Sequence, residues 1–145
     1  MGTLASRFIG LVMGLISVPS MAADGVIRAD EAFAAARRGE VLIIDVRTPA
    51  EWRQTGIPEG AKAADVSSAA GIEAFAVAVT RVVGGDLGKP VALICRSGNR
   101  STQAAETLRA HGFSNVLNIK EGMSGSGDGP GWLRRGLPVV ACPDC

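Results

Sequence analysis

Two uninterrupted apolar runs constrain the fold of this chain more than any other feature. They are VLIIDV at residues 41–46 and PVALIC at residues 90–95, and neither alternates apolar with polar positions along its length. Such runs are typical of strands buried on both faces, as in parallel sheets that helices cover on both sides. The two runs therefore predict an α/β fold.

The segments between and around these runs alternate in type, as βαβ units require. Shorter strands are predicted within residues 61–66 and 115–119, a turn or helical turn at 48–52, a loop at 56–61, and a last helical turn and edge strand within 129–141. Helical patterns cover residues 27–40, 71–85 and 101–113. Ile72 is expected on the buried face of the second of these helices. In such a sheet the ligand site lies beyond the carboxyl ends of the strands, where Cys95 follows the second run.

The N-terminal residues predict an export signal rather than part of the fold. Arg7 precedes an apolar run from Phe8 to Val18, which is short for a membrane span, and Ser20-Met21-Ala22 is a small-x-small cleavage pattern. We expect residues 1–22 to be a signal peptide, with an uncleaved anchor as the alternative. The chain is then exported, to the periplasm in a Gram-negative source. One domain is expected over residues 25–141, followed by a short segment at 142–145.

Charge and metal-ligating content exclude several function classes. The 145 residues carry a formal net charge of +1, so no broad electrostatic footprint for nucleic acid is visible, and membrane contact is expected only through the export signal. With 3 Cys and 1 His, a usual four-ligand zinc site is not expected unless carboxylates join in. No metal or cofactor is predicted.

The sequence CRSGNRS at residues 95–101 is the strongest functional motif. Cys95 ends a strand and a helix starts at about Ser101, so small and polar residues between them can form an anion-binding nest of backbone N–H groups. Gly98 allows a backbone geometry that a β-carbon would forbid, and Arg96 and Arg100 add positive charge. These features favour the nucleophilic thiolate of Cys95. The nest is predicted to bind an oxyanion or the charge of a persulfide through its six residues after the cysteine, Arg96, Ser97, Gly98, Asn99, Arg100 and Ser101.

From about Val26 to Val140 the chain resembles a rhodanese-like sulfurtransferase domain. The resemblance is carried by LIIDVRTPAEW at residues 42–52, by CRSGNRS, by AAETLRAHGFSNVLNIKEGM at residues 104–123, and by the later Trp and GLPV. It implies a rhodanese-like parallel sheet flanked by helices on both faces.

The same resemblance implies an activity. Cys95 would take a sulfane sulfur from thiosulfate or a persulfide donor and pass it to a thiol, cyanide or protein acceptor. Arg96 and Arg100 would orient the anionic donor, while Asp45 and Arg47 would have structural, loop-supporting roles. Glu51 and Arg53 are expected to be solvated neighbours.

Two departures from the family pattern bear on this reading. TGIPEGA at residues 55–61 lacks the histidine that the family often has before Ile-Pro, with little expected effect on the chemistry. The Gly/Ser-rich residues 124–131 are an insertion, expected to be a flexible segment that could hang over the active site and affect the choice of acceptor.

Two other function classes remain open. Cysteine phosphatases and arsenate reductases also place a thiolate in a nest with an arginine, although their loop has five residues between the two and this one has four. A non-catalytic periplasmic module that carries sulfur or metal, or binds a partner protein, could share the fold. An intact Cys95 favours an enzyme.

Cys142 and Cys145 form a C-x-x-C motif beyond the predicted edge strand. Three interpretations stay open: a local disulfide, a redox pair that resolves a Cys95 persulfide or mixed disulfide, and capture of a soft metal ion. The motif lacks the strand-to-helix setting that tunes most redox C-x-x-C pairs.

Overall fold

The computed structural model describes residues 25–145, so the predicted signal peptide lies outside the described residues. The helices are α1 (Ala29–Arg37), α2 (Pro49–Thr55), α3 (Gly71–Val82), α4 (Asn99–Ala110) and α5 (Gly131–Arg134). The strands are β1 (Leu42–Asp45), β2 (Ile57–Pro58), β3 (Lys62–Ala63), β4 (Val91–Ile94), β5 (Val116–Asn118) and β6 (Val139–Val140). None of the helices in this part of the chain is long and apolar enough to cross a bilayer.

A four-stranded parallel sheet in the order β3-β1-β4-β5 forms the centre of the fold. The two apolar runs are its central strands, with Asp45 opposite Ile94 in the register. Val26 adds a single parallel bridge to Asn118 beyond β5. The predicted parallel sheet is confirmed, and its register places the ends of β1 and β4 side by side.

Apolar side chains fill both faces of this sheet. Along β1, Ile44 enters the core under α3 and α4, whereas Ile43 enters the core under α1 and α5. Along β4, Leu93 and Ile94 divide in the same way, because successive side chains of a strand point to opposite faces. Each fully buried Leu or Ile contributes about 2 kcal/mol relative to an exposed one. The continuous apolar runs are therefore explained by two covered faces.

A second, antiparallel sheet was not expected. Ile57 pairs with Val140 and Pro58 with Val139, so the prediction of a loop throughout residues 56–61 is wrong at these two positions. The Gly and Pro residues in and around β2 are typical of a loop, so the sequence pattern does not indicate a strand there. Its partner, β6, comes beside it only because the chain folds back after α5. This small sheet ties the C-terminal part of the described chain to the end of α2.

The helices also differ in extent from the expectation. The turn predicted at residues 48–52 is the start of α2, which continues to Thr55 because Thr48 and Glu51 form a capping box and Pro49 occupies the first turn. Helix α4 begins at Asn99, ahead of the expected Ser101. Ile72 is 36% exposed rather than buried, since the buried residues of α3 begin one turn later, at Phe75.

Candidate active site

Cys95 lies directly after β4, at the carboxyl end of the sheet, and only 1% of it is exposed. Its Sγ accepts a hydrogen bond from the Gly98 N–H at 3.1 Å. The thiol donates to Ser101 Oγ at 3.4 Å, and the Ser101 hydroxyl donates to the Gly98 carbonyl oxygen at 3.1 Å. The sulfur is thus held inside a loop that the next six residues close around it.

The loop depends on glycine at position 98. Gly98 has a φ of 98°, and a β-carbon there would collide with the carbonyl oxygen of Lys120. Helix α4 begins at the next residue, and the first N–H groups of a helix have no acceptor within it. The loop therefore combines free N–H groups with the positive end of a helix dipole, an arrangement that binds anions.

Residues 122–124 hold the other side of the loop. The Met123 N–H donates to the Cys95 carbonyl oxygen and the Ser124 N–H to that of Arg96, both at 2.9 Å. Gly122, with a φ of 69°, lies so close to the Arg96 backbone that a β-carbon would not fit. The Gly/Ser-rich segment that follows is hydrogen-bonded across a turn from Ser126 to Gly129. Its effect on the acceptor stays a prediction.

Glu121 precedes residues 122–124 and holds them in place. No feature of the sequence analysis pointed to this residue. Glu121 is only 2% exposed. Its carboxylate accepts hydrogen bonds from the N–H groups of Ala29 and Gly131 and from Arg135 Nε. Burial alone would raise the pKa of Glu121, but hydrogen bonds from Arg135, Ala29 and Gly131 outweigh it and lower the pKa. The Glu121 carboxylate thus fixes the starts of α1 and α5 next to residues 122–124, which hold the cysteine loop.

Glu51 of α2 and Arg100 of α4 form a bidentate ion pair. Arg100 Nη1 and Nη2 each donate to a carboxylate oxygen of Glu51 at 2.7 Å. The hydrogen bonds from Arg100, opposed by partial burial and helped by Thr48, lower the pKa of Glu51 to about 2. The expectation that Glu51 is merely solvated is wrong. Its signal in the sequence was the Thr-x-x-Glu spacing of the capping box, which points to a fixed carboxylate.

The two loop arginines therefore differ. Arg100 is paired with a carboxylate, and its predicted role in orienting a donor stays a prediction. Arg96 has an exposed side chain that pairs with no carboxylate among residues 25–145. Arg96 lines a cleft of about 230 Å³. The cleft is completed by Arg47, Glu51, Gln54, Thr55 and Ser124.

Ser97 and Asn99 are exposed on the outer side of the loop. No side-chain hydrogen bond of either residue occurs within the described range. Their predicted contribution to donor binding also stays a prediction.

Asp45 and Arg47 lie buried at the end of β1. Arg47 Nε and Nη2 donate to the Asp45 carboxylate, Nη2 also to the Gly56 carbonyl oxygen and Nη1 to Thr55 Oγ1. The pair spans both ends of α2, the helix that carries Glu51. This geometry suits the structural role that the resemblance implied.

Cys142 and Cys145 are joined as a disulfide with their Cα atoms 5.3 Å apart. Arg53 Nη1, on α2, donates to the main-chain oxygen of Cys145 at 2.7 Å. Arg53 is therefore exposed, as expected, but bonded. The C-x-x-C segment rests against the helix whose residues Glu51, Gln54 and Thr55 wall the cleft.

A larger cavity, of about 380 Å³, lies at the opposite end of the sheet, where β1 and β4 begin. Its lining includes Arg37, Glu40, Glu59 and Lys89 but no cysteine or histidine. Within residues 25–145 no three His, Cys, Asp or Glu side chains are grouped closely enough to hold a metal ion. The chemistry-bearing residues are thus concentrated at the carboxyl end.

Comparison with known proteins agrees with this arrangement. Residues 28–126 match the family model of the rhodanese-like domain. A sulfurtransferase of Allochromatium vinosum is 32% identical over 102 residues, which are 70% of this chain and 80% of that protein.

Solved structures share the fold. The polysulfide-sulfur transferase homodimer of Wolinella succinogenes superposes with a TM-score of 0.57 at 25% identity, over 79% of this chain and 77% of that one. A protein of M. tuberculosis gives a TM-score of 0.64 at 28% identity, over 81% and 98%. With the family match over most of the described residues, the chain belongs to the rhodanese-like sulfurtransferase family.

Proposed function

We propose that this protein transfers sulfane sulfur through a persulfide on Cys95. The single observation that carries the proposal is the position of Cys95 Sγ, which accepts the Gly98 N–H at the start of α4. A sulfur that accepts a backbone N–H can act as the nucleophile, and the proposal takes it to react as the thiolate.

The reaction follows from this position. The Cys95 thiolate attacks the outer sulfur of thiosulfate, the S–S bond breaks, and sulfite leaves with the electron pair. The terminal sulfur of the persulfide is then taken by a thiophilic acceptor such as cyanide or a thiol, and Cys95 leaves as the thiolate. The Gly98 N–H is directed at the Cys95 sulfur and is available to the anion in both steps.

Arg96 is the residue best placed to bind an anionic donor. Its guanidinium is at the cleft and pairs with no carboxylate of residues 25–145, whereas Arg47 and Arg100 are each neutralised by one. An anion entering the cleft therefore meets one uncompensated positive charge, together with the polar side chains of Gln54 and Ser124.

Phosphatase or arsenate reductase chemistry is less well supported. Such enzymes need the loop arginine to bind the oxyanion, and here Arg100 is bound on both of its terminal nitrogens by Glu51. A module that only binds a partner protein would have no use for a sulfur held by the loop amide.

The test is sulfur transfer from thiosulfate to cyanide, with intact mass to detect one added sulfur atom. Turnover and the adduct are expected in the protein, and both are expected to vanish in Cys95→Ser. A Cys142→Ser/Cys145→Ser variant is expected to keep the adduct. If the folded protein shows neither turnover nor adduct with thiosulfate or a persulfide donor, the proposal is contradicted.

We also propose that the protein is exported, on the sequence of residues 1–22 alone. N-terminal sequencing of the protein isolated from its own cells is expected to begin after Ala22 or Ala23. A start at Met1 in a cytoplasmic fraction would contradict export.

A further inference from the structure

The Cys142–Cys145 disulfide does not cross-link the fold. It closes a loop of four residues after β6, and it joins no helix or strand to another. A loop this short removes little entropy from the unfolded chain compared with one that spans a domain. Structural stabilisation therefore does not account for these two cysteines.

The disulfide lies close to the active-site cleft. The hydrogen bond from Arg53 to the Cys145 oxygen places the disulfide on α2, and the neighbouring residue of α2, Gln54, lines the cleft. Val140, at the end of β6, pairs with Ile57, which lies two residues beyond the cleft residue Thr55. Residues 141–145 span about 17 Å when extended. The segment is long enough to reach the cleft from the end of β6.

The segment is also accessible and weakly held. Cys142 and Cys145 are partly exposed, and Pro143 and Asp144 between them are exposed. Within residues 25–145, the bond from Arg53 is the one hydrogen bond between residues 141–145 and the rest of the fold. Release of that exposed bond is enough to free the pair from α2.

We propose that the reduced Cys142/Cys145 pair is a second reactive site, which takes the sulfur from Cys95 and releases it as hydrogen sulfide. This inference rests on the proposed Cys95 persulfide. One thiolate of the pair attacks the outer sulfur of the persulfide, and Cys95 leaves as its thiolate. The second thiolate of the pair then attacks the first cysteine's own sulfur, so that the disulfide forms and HS⁻ leaves.

The step balances without a further reagent. One persulfide and two thiols become one Cys95 thiol, one disulfide and one H₂S, and the two electrons that reduce the sulfane sulfur come from the pair. The Gly98 N–H stabilises Cys95 as the leaving group, just as it stabilises the nucleophile. Each turnover leaves the pair in the disulfide form that the structure shows. An external dithiol must then reduce it, so the partner implied is a dithiol reductant.

Single-turnover sulfide release tests this inference. The full chain, reduced and freed of reductant under anaerobic conditions, is mixed with thiosulfate, and sulfide, free thiols and intact mass are followed. About one sulfide per chain is expected, together with disulfide formation. The Cys142→Ser/Cys145→Ser variant should keep the sulfur on Cys95 and release sulfide at least about tenfold more slowly, because the intramolecular thiol is lost.

Single variants and a matched control sharpen the test. Cys142→Ser and Cys145→Ser should each retain the added sulfur without sulfide release, since the resolving thiol is missing. Asp144→Asn changes the same segment but keeps both thiols, and it should release sulfide like the unaltered protein.

Three results would overturn the inference. Equal release with and without the pair, while the Cys95 adduct forms, overturns the inference alone and leaves the proposed function standing. A first-order rate constant of release that rises in proportion to protein concentration overturns transfer within one chain. Absence of any adduct in the double variant overturns the proposed function and this inference with it.

Discussion

Two carboxylate–guanidinium pairs lie at the same end of the sheet, and they differ in depth. The Asp45 and Arg47 side chains are 0% and 2% exposed, whereas those of Glu51 and Arg100 are 23% and 29% exposed. The first pair joins the end of β1 to the residues that end α2. The second joins the start of α2 to the cysteine loop. The same kind of ion pair therefore connects buried backbone in one place and forms part of the cleft wall in the other.

The difference in depth separates stability from function. Two charges removed from water are stable only while they satisfy each other, so the buried pair is sensitive to the loss of either partner. The shallower pair is partly solvated and loses less when broken. However, it sets the charge beside Cys95, since it neutralises Arg100, whereas Arg96 pairs with no carboxylate in the part of the chain that the structure describes.

The largest expected effect is on the buried pair. Asp45→Asn leaves the Arg47 charge buried without a counter-ion, and we expect the free energy of unfolding to fall by about 4 kcal/mol. Urea denaturation measures it. Asp144→Asn, at an exposed position, is the matched control and should change stability by less than about 0.5 kcal/mol. A loss below about 1 kcal/mol for Asp45→Asn would show that the two pairs do not differ as their depths suggest.

Gly98→Ala should come next. The new β-carbon meets the Lys120 carbonyl oxygen and the residue must keep a φ of 98°, so we expect a loss of about 3 kcal/mol and of sulfur transfer. Gly85→Ala is the control, since Gly85 has a φ of 79° but open space around its α-carbon. It should lose about 1 kcal/mol and keep its activity. Equal losses at the two glycines would mean that backbone conformation, and not the contact with Lys120, sets the cost.

Arg96→Ala should leave stability within about 0.5 kcal/mol, because the side chain is exposed. Under the proposed function, its KM for thiosulfate should rise about tenfold, the cost of one charge-assisted contact. Steady-state kinetics measures this, and Arg96→Lys should recover most of the loss. An unchanged KM in Arg96→Ala would move donor binding back to Arg100.

Glu51→Gln should lower stability by about 1 kcal/mol at neutral pH, which is less than the loss expected for the buried pair. The pKa of Glu51 is lowered from 4.5 to about 2 in the folded protein, so its ionised form stabilises the fold. That contribution is complete above pH 4.5 and is lost as the pH falls towards 2.

The stability gap between the unaltered protein and Glu51→Gln should therefore be constant from pH 5 to 7 and close in acid, which urea denaturation at each pH measures. Glu106→Gln, at an exposed position of α4, is the control and should change stability by less than about 0.5 kcal/mol at neutral pH. A gap as wide at pH 2.5 as at pH 7 would mean that Glu51 stabilises the fold through packing and not through its charge.

Much of the site could be predicted from the sequence because its parts are neighbours along the chain. Cys95, Gly98 and Ser101 lie within one loop, and their hydrogen bonds join residues three to six positions apart. Contacts between residues so close in the sequence can be inferred from one short motif. The covered sheet followed in the same way from two apolar runs, since burial on both faces leaves no polar alternation.

The partners of the charged residues were decided by the tertiary structure. Glu51 meets Arg100 from 49 positions away, and the Glu121 carboxylate meets Ala29 from 92 away. The chain has 15 Lys and Arg and 14 Asp and Glu, so charge alone offers many equivalent pairings. The folded sheet selects among them by which elements it brings together. By itself, the sequence determined the loop around Cys95 and the covered sheet. The tertiary structure decided which arginine is neutralised, that β2 pairs with β6, and that the C-x-x-C pair lies beside the cleft, because these depend on contacts between distant segments.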